Sequence, residues 1–307
     1  NRAVGGLAIQ WPLFLFTVHT ISTMAHSILL QRAFSIAVAA TCTLACLGAS
    51  AAEPVSETLA GRAALVYAPT TLPAFGSRAL VVVLHGGLGN AQRLASGRIE
   101  TALNLNAAAD AGGFVVAYLN GTPVARFLGA DKLGWNAGAC CGQPVEKNTD
   151  DVGYIRSAVE DIAQRYGVDR SRIFGVGHSN GAMMTQRVMC ETTLFAAAVP
   201  ISGPLESGAT RCPSARGKRI LAIHGADDQN VPVGGGRGKG LARVDFVSEA
   251  ATARVWQDSG AVYDLHVVPG AEHSVDSISA QLLQQESQTL AEKIARFFGL
   301  AARSTQG

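Results

Sequence analysis

Arg172-Ile173-Phe174-Gly175-Val176-Gly177-His178-Ser179-Asn180-Gly181-Ala182-Met183-Met184 is the stretch whose reading decides the architecture. Its first residues form a short apolar run that reads as a buried strand, and the apolar stretch from Ala182 to Cys190 reads as a helix. Between them lies Gly177-His178-Ser179-Asn180-Gly181, a G-x-S-x-G turn. Glycines on either side of the serine remove Cβ crowding, so the backbone can hold Ser179 in a strained conformation with its hydroxyl exposed. An alcohol placed this way attacks a carbonyl only if a general base lies within hydrogen-bond reach and a third group fixes that base. The serine therefore predicts two partners elsewhere in the chain.

Both are found downstream. Arg219 to His224 reads as a buried strand, and the polar turn after it, Gly225 to Pro232, carries Asp227 and Asp228. A further strand-like run, Tyr263 to Val268, precedes Pro269-Gly270-Ala271-Glu272-His273. Serine, acid and histidine in that chain order are those of an α/β-hydrolase, with His273 as the base. Upstream, Leu80-Val81-Val82-Val83-Leu84-His85-Gly86-Gly87-Leu88-Gly89 is an apolar strand running into a glycine-rich turn. That turn predicts an oxyanion hole built from the N–H groups of Asn180 and Gly87, with Leu88 as the alternative to Gly87.

The remaining pattern agrees. Strands are expected near Ala63 to Ala68, Ala79 to His85, Phe114 to Leu119, Arg172 to Val176, Ala196 to Ile201, Arg219 to His224 and Tyr263 to Val268. Helices are expected near Glu100 to Ala111, Asp151 to Tyr166, Ser179 to Glu191, Phe246 to Ser259 and Ile278 to Phe298. Such alternation implies an α/β-hydrolase fold with a mostly parallel central sheet and helices on both faces. Thr149-Asp150-Asp151 reads as a helix N-cap and not as a catalytic carboxylate pair. His85 and His224, at strand ends, read as packing and turn-stabilising residues.

Four segments together carry a resemblance: Leu84 to Ala91, Trp135-Asn136-Ala137-Gly138-Ala139-Cys140-Cys141-Gly142 with Asp150 to Ile155, the Ser179 pentapeptide, and the turn around Asp228. They resemble the secreted polyhydroxybutyrate depolymerase and feruloyl esterase-like family of carbohydrate-esterase type, over about Ala63 to Phe298. The spacing His-Gly-x-x-Asp-x-x-Val-Pro resembles the acid loop of secreted esterases of this fold and selects Asp228 over Asp227. The resemblance implies a serine carboxylic-ester hydrolase using Ser179, Asp228 and His273 through an acyl-enzyme, with no metal or organic cofactor. It implies hydroxyalkanoate polyesters or feruloyl and acetyl esters of plant polysaccharide as substrates, with short-chain esters as the alternative. Trp135 is expected as a platform for a flat or polymeric substrate, and His178 as a pocket residue packing beside the nucleophile, not a second base. The family often has Gly-His-Thr-Trp where this chain has Glu272-His273-Ser274-Val275, a departure that bears on the pocket more than on the triad. A peptidase, or a binding protein on a degenerate hydrolase scaffold, are the competing classes, and the intact Ser, Asp and His set argues against the second.

Composition fits an enzyme with one large core. The 307 residues are 48% hydrophobic and 16% charged with a net charge of +2, which supplies no electrostatic case for nucleic acid. Gly234 to Gly240 lacks the spacing of a phosphate-binding loop and reads as an irregular one. Near the amino end, Arg32 precedes an apolar run from Ala33 to Ala45 and the small residues Gly48-Ala49-Ser50-Ala51-Ala52. That layout predicts a signal peptide over 24–51, a catalytic domain over 52–307, and residues 1–23, upstream of Met24, as an extension outside the working protein. Neither Leu7 to Val18 nor Ala33 to Leu47 reaches the roughly 20 residues of a membrane span, so export without stable membrane insertion is expected. No separate substrate-binding segment is legible in 52–307, which tilts the expectation toward short-chain or feruloyl-type esters. Export makes the cysteines candidates for disulfides. Cys190 ends the elbow helix and Cys212 precedes the strand carrying Asp228, so a bond between them would brace two parts of the site. Cys140 and Cys141 are then left as a vicinal disulfide or two free thiols.

Overall fold

Runs of valine, leucine and alanine buried on both faces mark the centre of a parallel sheet, and Arg78–Leu84 and Val115–Leu119 are of that kind. The computed structural model of the protein describes residues 52–240, 242 and 244–301; the extension 1–23 and the signal segment 24–51 lie outside them. The sheet strands are β1 (Val55–Leu59), β2 (Arg62–Tyr67), β3 (Arg78–Leu84), β4 (Val115–Leu119), β5 (Val168–His178), β6 (Ala197–Ile201), β7 (Arg219–Gly225) and β8 (Val262–Val268). They form one eight-stranded sheet in the order β1-β2-β4-β3-β5-β6-β7-β8. The pairs β1 with β2 and β2 with β4 are antiparallel, and every other pair is parallel.

The longer helices are α1 (Asn106–Gly112), α2 (Asp151–Tyr166), α3 (Asn180–Glu191), α4 (Glu249–Asp258), α5 (Val275–Glu286) and α6 (Leu290–Phe297). Alternate side chains of each strand go to opposite faces of the sheet, and the core divides accordingly. Leu80, Val82 and Leu84 pack in one cluster with Ile155 and Ile162 of α2, Met184 and Val188 of α3 and Trp256 of α4. Val81 and Val83 pack in the other with Ala109 of α1, Ile278 and Leu282 of α5 and Ile294 of α6. The sheet is thus covered on both sides, and the carboxyl ends of β3, β5, β7 and β8 lead into the loops that carry the candidate site.

Differences from the expected elements have local causes. β1 is an unanticipated edge strand whose mostly polar sequence carries no apolar stripe; it joins β2 through Ala60 and Gly61, both at positive φ (45° and 80°), as a two-residue hairpin requires. The expected helix Glu100 to Ala111 begins instead as the single turn Thr101–Leu103, after Glu100 in the left-handed region at φ 47°. Ser287, at φ 53°, breaks the expected helix Ile278 to Phe298 into α5 and α6. Asp150 caps α2 by accepting from Gly153 N–H at 2.8 Å. Asp151 is no cap; its buried carboxylate accepts from Arg62 and, at 2.7 Å, from Asn136 N–H. Among the described residues no helix is long and apolar enough to cross a membrane.

Candidate active site

At the end of β5 the chain reverses into α3 through Ser179, whose φ of 52° and ψ of −122° put a non-glycine residue in a strained conformation. Two glycines make the turn possible. A Cβ on Gly177 would stand 2.2 Å from Gly181 O, and one on Gly181 would stand 2.2 Å from Leu84 O. Ser179 is half-buried at the floor of a cleft of about 600 Å³.

The structure brings Ser179, His273 and Asp228 together. The Ser179 hydroxyl is 3.0 Å from His273 Nε2, and His273 Nδ1 donates to Asp228 Oδ2 at 2.7 Å. The second Asp228 oxygen accepts the N–H groups of Asn230 and Val231, both at 2.9 Å, which fixes the carboxylate plane. Asp228 is buried whereas Asp227 is exposed, so of the two acids only Asp228 faces the site. Burial alone would raise the Asp228 carboxyl, but hydrogen bonds from His224 and His273 outweigh it and hold it well below the carboxylate range. His273 is lowered, first by burial and then by the charge of His178 and His224, against the opposing pull of Asp228.

Leu88 N–H is already committed to Leu133 O at 2.8 Å, and Gly87 lines the cleft. Gly87 and Asn180 are neighbours, since a Cβ on Gly87 would lie 3.9 Å from Asn180 Cβ. Asn180 opens α3, where an N–H has no partner within the helix. Its side chain is clamped: Oδ1 accepts Trp135 N–H at 2.7 Å and Nδ2 donates to Trp135 O at 3.1 Å.

Trp135 corrects the expectation of a platform. It is fully buried, is absent from the cleft lining, and donates Nε1–H to His85 O at 3.0 Å. An indole with its one donor satisfied inside the protein gains more from packing than from exposure. Trp135 therefore ties the end of β3 to the elbow. The exposed aromatic at the cleft is Phe127, 87% accessible and missed in the sequence because Ala125 to Leu128 shows no periodic pattern.

His178 does line the cleft. Its Nε2 donates to His273 O at 2.8 Å and its Nδ1 pairs with Glu100 Oε1 at 2.5 Å. Burial would lower it, but Glu100 outweighs that and raises it, while Glu100 itself, raised by burial, is pulled lower by His178. Glu100 also accepts Gly86 N–H at 2.9 Å, so one carboxylate anchors both the glycine loop and the backbone of His273. No sequence pattern marks Glu100, which stands at the start of an expected helix.

The remaining wall is apolar, with Val124, Leu128, Met183, Val231 and Phe246. Cys140 and Cys141 also line the cleft, and Cys190 is bonded to Cys212 with an S–S distance of 2.11 Å. Among the described residues no cluster of His, Cys, Asp and Glu is suited to a metal ion.

Fold and site define an α/β-hydrolase. No family model matches the chain. Over 179 residues it is 32% identical to a Nocardia uniformis subsp. tsuyamanensis protein named "Putative esterase NocK", covering 57% of this chain and 47% of that one. Over 179 residues it is 28% identical to feruloyl esterase B of Piromyces equi, covering 57% and 31%. The chain thus spans less than half the length of these curated relatives. Its fold is similar to the carboxylesterase of Bacillus cereus, with a TM-score of 0.53 at 16% identity over 78% of this chain and 94% of that one.

Proposed function

We propose that the chain is an exported serine carboxylic-ester hydrolase in which Ser179 is the nucleophile, His273 the general base and acid, and Asp228 the residue that orients His273. The observation that carries this reading is the continuous hydrogen-bonded line from Ser179 Oγ through His273 to Asp228 at the floor of an open cleft. His273 takes the serine proton as Oγ attacks the ester carbonyl, and the N–H groups of Asn180 and Gly87 receive the oxyanion. One such donor is worth about 3 kcal/mol in the transition state. His273 then protonates the departing alcohol, and water, activated by the same imidazole, releases the acid from Ser179.

The substrate reading is an ester of a feruloyl or acetyl group on plant polysaccharide. It is supported by the names of relatives, a feruloyl esterase and an acetylxylan esterase/xylanase, and by a cleft whose apolar wall and exposed Phe127 suit an aromatic or short alkyl acyl group. Export is supported by the signal-like segment 24–51 and the Cys190–Cys212 bond.

The test is product release from p-nitrophenyl butyrate, methyl ferulate, acetylated xylan and amorphous polyhydroxybutyrate, with Ser179→Ala as the blank. Preference for ferulate or xylan, lost by roughly a millionfold in the variant, is expected. Release of hydroxybutyrate in preference to the others makes the protein a polyester depolymerase instead, and equal rates in wild type and variant overturn the mechanism.

A further inference from the structure

Behind Asp228 lies a second histidine that the reaction above does not use. His224, the last but one residue of β7, is fully buried. Its Nε2 faces Val231 O at 2.8 Å and Asp228 Oδ2 at 3.2 Å, and its Nδ1 faces Glu249 Oε1 at 2.9 Å. Glu249, at the start of α4, accepts the Tyr263 hydroxyl of β8 on its other oxygen at 2.6 Å. A backbone carbonyl can only accept, so Nε2 must carry a proton; two flanking carboxylates favour a proton on Nδ1 as well. The result is a buried imidazolium held between two anions, one of which is the acid of the triad.

We propose that His224 is a positioning residue of this site: an imidazole protonated at neutral pH, clamped by Glu249 and Tyr263, that holds the Asp228 carboxylate toward His273 while neutralising part of its charge. The inference rests on the ester-hydrolase reading. An unshared Asp228 would stabilise the protonated form of His273 more strongly and hold that base in its inactive state at lower pH. With Asp228 shared, His273 stays unprotonated into mildly acidic solution. The other groups facing His273 act in the same sense or are neutral. Ser179 is uncharged, and His178, its ring centroid 4.8 Å from that of His273, carries positive charge supported by Glu100 behind it. The raised value of His224, about 9, despite burial that would lower it, agrees with the geometry, Asp228 and Glu249 supplying the hydrogen bonds that outweigh burial.

The test uses the full chain and the charge-neutral replacement H224Q/E249Q, which removes cation and anion together. The acidic limb of kcat/KM on p-nitrophenyl butyrate should move up by about one pH unit, an approximately tenfold loss at pH 5 that shrinks toward pH 8. Nitrogen-15 imidazole spectra at pH 8 should contain a ring protonated on both nitrogens that persists in His178→Ala and vanishes in H224Q/E249Q, which assigns it to His224. A variant that melts earlier but keeps the wild-type limb reduces His224 to a structural role and overturns the proposal. Absence of a doubly protonated ring that persists in His178→Ala overturns it too, whether or not H224Q/E249Q folds. If the wild type hydrolyses none of the esters, and Ser179 fails to react with a fluorophosphonate, the ester reading itself falls, while the spectra still decide the protonation of His224.

Discussion

Ser179 stands out within five residues, yet the chemistry proposed for it depends on a group 94 positions away, since His273 reaches it at 3.0 Å only in the folded chain. At this scale the electrostatics make a prediction. His273 is held below its ordinary value of 6.5, first by burial and then by the cations His178 and His224. A base is active when unprotonated, so lowering it extends activity to lower pH. The acidic limb of kcat/KM in the wild type is therefore expected to have its midpoint below 6.5, and a pH series on p-nitrophenyl butyrate measures it. His178→Ala removes one cation from beside His273 and leaves Glu100 unpaired. The limb should move upward and the glycine loop should loosen, seen as a lower kcat as well as a shifted profile.

Among the elements, Trp135 packs beside the elbow inside the protein and is not a surface for substrate, whereas Cys140 and Cys141 of the same segment line the cleft. Trp135 joins β3 to α3 through His85 O and Asn180, so truncating it should act on stability first. Trp135→Ala is expected to cost about 3–5 kcal/mol, as for other fully buried aromatics, which thermal or denaturant melting will show; a platform residue would have raised KM and left melting unchanged. The Cys190–Cys212 bond closes a loop with a sequence separation of 22 between the elbow helix and the approach to β7. Cys190→Ala/Cys212→Ala should lose about 3 kcal/mol of unfolding free energy in the loop-entropy account, measured by urea titration against the wild type.

For the molecule as a whole, one buried group that makes stability sensitive to alkali is His224 of β7, which Glu249 of α4 joins to Tyr263 of β8. Its folded value, about 9, lies above the ordinary 6.5. Its contribution to stability is therefore complete below pH 6.5 and is lost as pH rises through about 9. The melting temperature should fall from neutral pH to about pH 10, by less in H224Q/E249Q than in the wild type, in parallel calorimetric scans.

The seven sheet strands after β1, the elbow, and a candidate serine, acid and histidine in that chain order were legible from residues, because each rests on local rules: apolar runs, glycine in tight turns, and the position of acids after strands. Segment boundaries failed where a single backbone angle intervened, as at Glu100 and Ser287. Side-chain neighbourhoods failed more often. Trp135 in a glycine-rich loop reads equally as surface or core, and only the packing of β3 against α3 decides that it is buried. Glu100 and Glu249 carry no pattern at all; they become part of the site because the sheet brings segments 78 and 25 residues away beside His178 and His224. Local chemistry thus sufficed to propose a nucleophile and its partners, whereas the charges around those partners are set by contacts across the fold, where burial strengthens every unscreened interaction.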